Sequence, residues 1–511
     1  MQRAQGAFAA GTSGLSPLPA ITLCTETMPH DEPFAVLHET HSAVVLIQGD
    51  RAYKMKKPVV TDFLDFGTLA RREQACAREL ELNRRLSPDV YLGVGRLTDP
   101  TGGPGEPVLV MRRMPDAARL STVVAGAREA QSALSALTRV LAEFHDRANR
   151  SREIDRAAQV SAVRARWDSL LDGLTDPPVS EARVHHLRRL VTRYLDGRKP
   201  LFDKRIATGR IVDGHGDLHA GDIFVFPDGF RVLDCLDFDD TLRHVDRLDD
   251  IAFLAMDLEF LGHRDIADTL LAEYLTRTDD PAPPSLRHHY IAYRAVVRAK
   301  VNCIRCRQGA DDAADHAARH VDLAIRHLEA GAVRLALVGG LPGTGKSTVA
   351  QALAHETGAI LLSSDHIRAG RRAQGVLAGP AGVYGGGAYR PDARAQVYAV
   401  MRAEAETLLA AGHSVVLDAS WCAADERRRA ARSAADTHAE LVEIRCTAPP
   451  SVATARITAR HGGESEATPA IAAAMAADQA YWPAAVSLDT TRPLPDSIRA
   501  ALCVWERTGE R

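Results

Sequence analysis

Lysine is scarce in this chain of 511 residues: it stands only at 54, 56, 57, 199, 204, 300 and 346, although Lys and Arg together number 63. Where arginine serves almost everywhere, a retained lysine is a candidate for a task that needs a compact ammonium. Long apolar runs are also missing. No stretch approaches the roughly 20 residues that span a bilayer. Residues 1–30 have no sustained apolar segment after their basic start, so they read as a flexible tail and not as a signal peptide. Aromatics make up 5% of the chain and the formal net charge is -3, which argues against a nucleic-acid groove lined with stacking residues. The eight cysteines are scattered, and the one close pair, Cys303-Ile-Arg-Cys306, lacks the second pair of a metal site and reads as two helix-borne thiols. A reduced, cytoplasmic protein without a membrane partner is expected.

The hydrophobic fraction of 46% and charged fraction of 25% are those of a globular protein, and the length calls for two or three domains. Residues 31–330 open with strand-like runs, SAVVLIQ and RAYKMKKPVV around a turn at Gly49-Asp50, then a helix over 67–86 and two strands, VYLGVGRL and PVLVMRRMP. From about Ser121 the pattern is helical, broken by DGHGDLHAGDIFVFPDGFRVLDCLDFDD and by a Pro-rich loop, TDDPAPPS. Residues 331–511 alternate short apolar strands with helices, the mark of a parallel sheet.

The most specific motif is Gly340-Leu-Pro-Gly343-Thr344-Gly345-Lys346-Ser347, followed by Thr348. It satisfies G-x-x-x-x-G-K-[ST] between a predicted strand, VRLALVGG, and a predicted helix, VAQALAHETG. Such glycines let the backbone amides and the helix N-terminus face phosphates. Lys346 is placed on the β/γ-phosphates of ATP and the Ser347 hydroxyl on Mg²⁺. Asp365, after the second strand, is assigned to orient an acceptor hydroxyl, with an N-cap as the alternative, and Arg368 to grip the acceptor. Asp418, ending VVLDAS, is assigned to Mg²⁺. Arg456 and Arg460, with Arg445 upstream, could close over the transferring phosphate or simply form a solvated helix face. The segment from Arg334 to Pro483 resembles the small P-loop kinases, among them gluconate kinase, chloramphenicol phosphotransferase, zeta toxins and polynucleotide 5′-kinases.

Upstream, His215-Gly216-Asp217-Leu218-His219-Ala220-Gly221-Asp222 resembles the H-G-D-x-x-x-x-N catalytic loop of the aminoglycoside and choline kinase superfamily. The resemblance makes Asp217 the base that accepts the acceptor proton, and Asp222 a Mg²⁺ ligand that adds a negative charge where the family has Asn. In Leu233-Asp234-Cys235-Leu236-Asp237-Phe238, Asp237 matches the metal-binding "I-D-[FW]" strand, with Asp234 as the alternative. Ala52-Tyr53-Lys54 matches the phosphate-binding A-x-K strand, Lys56 shares its face at period two, and Glu79, or Glu81 after it, would be the ion-pair partner. No Gly-rich loop precedes Lys54; the turn there reads His38-Glu-Thr-His41-Ser42. Val110 to Arg112 would lie near the adenine. The echo of the metallophosphoesterase G-D-x-H-G motif is set aside, because no later metal motif of that class follows.

The order of the two halves is similar to a bacterial family described as bifunctional aminoglycoside phosphotransferase/ATP-binding proteins, a resemblance carried by AYKMKKPV, LNRRLSPDVYLGV, DGHGDLHAGD and DDIAFLAMDLE. It implies an N-terminal bilobal protein-kinase-like fold over 31–330 and a C-terminal P-loop parallel-sheet domain over 331–511. The activity it implies is an ATP- and Mg²⁺-dependent kinase with two nucleotide sites and small-molecule hydroxyl acceptors. The alternatives are a single P-loop kinase regulated by a non-catalytic kinase-like module, and a polynucleotide 5′-kinase.

Overall fold

A computed structural model describes residues 35–40, 42–60, 65–98, 101–377, 390–459 and 467–506. Two compact units make up the chain, Met1–Val140 with Ala220–Asp239, and Leu141–His219 with Asp240–Arg511.

The first unit is built on an antiparallel sheet of β1 (Ala35–Glu39), β2 (Ala43–Gln48), β3 (Arg51–Lys56), β4 (Tyr91–Leu97) and β5 (Glu106–Arg112), in the order β1-β2-β3-β5-β4. Gly49, at φ +57, makes the two-residue turn between β2 and β3, whose strands pair in register from Gln48↔Arg51 to Ala43↔Lys56. Alternate residues point to one face, where Ala52, Tyr91, Leu109 and Met111 pack with Val90, Phe224 and Leu233. The helix predicted over 67–86 spans Leu69–Asn83, started by the Thr68 side chain, which accepts the Arg71 N–H. It buries Cys76, Glu79, Leu82 and Asn83, a stripe at helical spacing that includes one carboxylate. The hairpin Ile223–Phe226 with Gly229–Val232 also belongs to this unit.

The second unit begins with helices. The short strand Ile211–Asp213, paired with His244–Asp246, leads into the HGD loop, and the helix Arg247–Phe260, capped by Asp246, is buried along nearly its whole length. The Pro-rich loop separates the helices Arg264–Arg277 and Pro284–Arg307, and the second of these carries both Cys303 and Cys306 as free thiols. Proline at the first helical position costs no hydrogen bond.

After the helix Ala313–Ala330 comes an all-parallel sheet: β6 (Arg334–Gly339), β7 (Ile360–Ser363), β8 (Val415–Asp418), β9 (Glu440–Thr447) and β10 (Val486–Asp489), in the order β7-β8-β6-β9-β10. Every residue of β6 is buried, as expected of a central parallel strand covered on both faces. Val338, Val349, Leu353, Val416, Ile444 and Trp505 form its core. Within this unit the sheet domain is tied to the helices before it: Ser285 Oγ donates to the Gly412 carbonyl at 2.6 Å and Arg198 to the Thr437 carbonyl at 3.0 Å.

Candidate functional sites

Six residues, Gly340 to Gly345, connect the end of β6 at Gly339 to the helix Lys346–Thr357, so the glycines of the G-x-x-x-x-G-K-S motif form the connection and its Lys346 and Ser347 open the helix. Gly340, Gly343 and Gly345 have φ of 147, 80 and 78°, conformations that L side chains rarely adopt. A Cβ on Gly340 would lie 2.6 Å from the Cys446 carbonyl oxygen, and one on Gly343 2.3 Å from that of Ala453. The loop is therefore a backbone cradle that only these glycines can line. Thr344 spends its hydroxyl on the Leu341 carbonyl at 2.8 Å, and its own carbonyl accepts from Thr490 Oγ1 at 2.8 Å. Thr348 is exposed on the following helix.

Asp418 ends β8, in register with Val338 on one side and Ser363 on the other. It is buried, and its Oδ1 has no hydrogen-bond partner among the described residues. Burial raises its pKa, Lys346 and a hydrogen bond from Ser347 oppose that rise, and Asp365 adds to it. An orphaned carboxylate oxygen beside a hydroxyl is an oxygen-only donor set that fits a hard divalent cation such as Mg²⁺.

Asp365 stands in the first turn of the helix Ser364–Ala373 and is ion-paired with Arg368. The capping residue is Ser363, whose hydroxyl accepts the His366 N–H, so the cap alternative for Asp365 does not hold. Arg456, on the helix Pro450–Thr458, donates to the Gly343 carbonyl at 3.5 Å and to Thr490 Oγ1 and O at 3.1 and 2.8 Å. It thus grips the cradle's own backbone. Arg445 turns to Gln479 at 3.2 Å. Arg460 lies outside the described residues.

In the first unit Lys54 Nζ meets Glu79 Oε1 at 2.8 Å and Asp234 Oδ1 at 2.7 Å. Lys56 Nζ meets Glu79 Oε2 at 2.7 Å and Asp237 Oδ2 at 2.6 Å. Burial works against the Lys54 ammonium, but Asp234 and Glu79 hold its pKa well above the lysine value; burial likewise works against the Glu79 carboxylate, which Lys54 and Lys56 hold below its ordinary value. The two aspartates differ. The Asp237 side chain is 13% exposed, and burial raises its pKa; that of Asp234 is 46% exposed and sits on a left-handed backbone, φ 57°, its N–H donated to the Tyr91 hydroxyl. Asp222 ends a short 3-10 turn, its carbonyl accepting the Leu233 N–H, and Arg119 binds the Gly221 carbonyl next to it.

A cavity of about 1060 Å³ in this unit is lined by Val45, Ile47, Arg113, Met114, Pro115 and Arg119, among others. From the segment around the end of β5, Arg113 to Ala117 line this cavity and Val110 to Arg112 do not, and Leu109 and Met111 are spent on the core.

In the second unit the Asp217 side chain is 37% exposed, with His219 Nε2 3.7 Å away; despite the cost of burial, His219 keeps its pKa below the ordinary aspartate value. The loop is pinned by a residue the sequence reading did not single out. Asp250 accepts the N–H groups of His215 at 2.6 Å and Gly216 at 2.9 Å, and meets His145 Nε2 at 3.0 Å. A Cβ on Gly214 would lie 2.5 Å from Asp250 Oδ2. Arg294 holds the Gly216 carbonyl at 3.0 Å while paired with Asp249.

Residues 50–289 match the phosphotransferase enzyme family, and residues 335–482 match an AAA domain. Uncharacterized proteins of Mycobacterium tuberculosis and Mycobacterium bovis are 50% identical over 478 residues, 93% of this chain and 96% of theirs. The chain belongs to their family. In it a phosphotransferase-family domain is followed by an AAA domain of P-loop kinase type, and the two kinase-type domains support a phosphotransferase enzyme. Among solved structures, a gluconokinase from Sinorhizobium meliloti is 19% identical over 35% of this chain and 94% of its own, with a TM-score of 0.27. A choline/ethanolamine kinase family protein from Mesorhizobium loti is 14% identical over 58% of this chain and 94% of its own, with a TM-score of 0.35. Among the described residues, no helix is long and apolar enough to cross a membrane.

Proposed function

We propose that this chain is a phosphotransferase with two Mg·ATP sites, one in residues 31–330 and one in residues 331–511, each transferring the γ-phosphate to a hydroxyl of a small molecule in the cytoplasm. The observation that carries the reading is the glycine cradle beside Asp418, whose buried Oδ1 lacks a partner among the described residues.

At the P-loop site, the backbone amides and Lys346 would hold the β- and γ-phosphates, and Ser347 and Asp418 would hold Mg²⁺, which supplies charge neutralisation at the γ-phosphate. Asp365 would orient the acceptor hydroxyl and Arg368 the rest of the acceptor, while Arg456 would fix the cradle from outside. At the kinase-like site Lys54 would hold the α/β-phosphates, and Asp217 would take the acceptor proton as the acceptor oxygen bonds to the γ-phosphorus and ADP leaves. Asp222 and Asp234 would be the metal-facing carboxylates there. Asp237, assigned to the metal from its motif, would instead brace Lys56, since it is the more buried of the two aspartates and closes on that ammonium.

Asp217→Ala should abolish transfer at the kinase-like site and spare the P-loop site; loss of both activities would contradict independent sites. A second reading, in which the kinase-like domain only regulates the P-loop domain, draws support from Lys54 and Lys56 being fully engaged by carboxylates. It expects unchanged turnover in Asp217→Ala. A polynucleotide 5′-kinase ranks third, and labelling of a 5′-OH oligonucleotide would revive it.

A further inference from the structure

Trp421 follows Asp418 by three residues, is fully buried, and has a φ of 53°. A bulky residue rarely sits in the left-handed region, and one held there needs surroundings that over-determine it. Two side chains supply them. The Tyr398 hydroxyl, on the helix Pro391–Ala410, accepts the Trp421 N–H at 3.1 Å and lies 3.2 Å from Ser420 Oγ. The Arg427 guanidinium, on the helix Ala424–Asp436, is buried and donates to the carbonyls of Trp421 at 2.6 Å, Cys422 at 3.1 Å and Tyr481 at 2.8 Å. It also lies over the Trp482 ring, 5.2 Å from its centre.

The consequence falls on the entry to the glycine cradle. Gly339, the last residue of β6, is wedged between the two tryptophans: a Cβ there would lie 2.4 Å from Trp482 and 3.1 Å from Trp421. The next residue, Gly340, donates its N–H to the Ser420 carbonyl at 3.3 Å. The turn that follows Asp418 is thus bonded directly to the first glycine of the cradle that precedes Lys346 and Ser347.

We infer that Tyr398 and Arg427 are positioning residues of the P-loop site: they lock the Ser420–Cys422 turn so that Asp418 stands at a fixed place opposite Ser347. Neither needs to touch nucleotide. The inference rests on the P-loop site binding Mg·ATP, and it divides the binding energy in a specific way. The Gly340 N–H is committed to the Ser420 carbonyl, so phosphate is left to the amides further along the cradle and to Lys346, which the turn does not bond, whereas the gain from Mg²⁺ needs Asp418 and Ser347 in register.

The test is calorimetry of ATP binding to the full chain, with Mg²⁺ and with EDTA, following the component that Lys346→Ala removes. If Lys346→Ala removes nothing from the wild type, the P-loop reading itself fails. With that component present, Tyr398→Phe should cut the Mg²⁺-dependent tightening by about fivefold to tenfold, the worth of a buried hydrogen bond to this turn, and leave Mg²⁺-free binding unchanged. Arg427→Lys should act in the same sense, because one ammonium cannot span three carbonyls in that planar geometry. An undiminished Mg²⁺ effect in Tyr398→Phe would overturn the inference, as would an equal loss with and without Mg²⁺.

Discussion

Lys54 and Lys56 grip opposite oxygens of one carboxylate, that of Glu79, at 2.8 and 2.7 Å. A strand presents both ammonium groups on one face because its side chains repeat every second residue. The buried helix face returns a single acid to meet them, so one charge serves two, and Asp234 and Asp237 supply the remainder.

Glu79→Ala should therefore destabilise the protein by about 3–5 kcal/mol, since it leaves two largely buried ammonium groups short of a partner. The carboxyl has a lowered pKa in the folded protein, so its contribution is present above its ordinary value of 4.5 and is lost as pH falls through the lower, folded value. Denaturant titrations across that range should show stability falling with acid in the wild type, and a shallower fall in Glu79→Gln.

Gly343→Ala should remove nucleotide binding at the P-loop without unfolding the domain. The new methyl would meet the Ala453 carbonyl at 2.3 Å on a backbone at φ 80°, so the loop must move. The cost, of the order of 1–3 kcal/mol, is borne locally. Calorimetry alongside a thermal melt separates the two outcomes.

Asp250→Asn should disable the kinase-like site from a distance. One carboxylate serves two backbone N–H groups and His145, and an amide oxygen cannot serve all three. A loss of about 2–4 kcal/mol of stability is expected, together with loss of whatever transfer Asp217 supports. Full activity in the variant would show that the loop holds its shape unaided.

What the sequence revealed follows from how local each feature is. The motif from Gly340 to Ser347 is contiguous, and its glycines adopt the positive φ that the motif demands. The ion pair of Lys54 with Glu79 was also legible, through the resemblance of Ala52-Tyr53-Lys54 to the kinase strand whose lysine pairs with a glutamate of the following helix. That Asp237 is the more deeply buried of the two aspartates, and Asp234 the one on a left-handed backbone, was not legible, since neither depth of burial nor a single backbone angle shows in the motif. Asp250 stayed hidden for a different reason: it acts on main-chain N–H groups 34 and 35 residues away, and such groups carry no sequence signal. The Trp421 turn was missed likewise, as its holders Tyr398 and Arg427 come from separate helices.

The central claim is two nucleotide sites on one chain. Calorimetric stoichiometry of a non-hydrolysable Mg·ATP analogue, on wild type and Lys346→Ala, tests it most directly. The account predicts two sites in the wild type and one in the variant. One site falling to none would contradict it and leave the kinase-like domain as a regulatory module of the P-loop kinase.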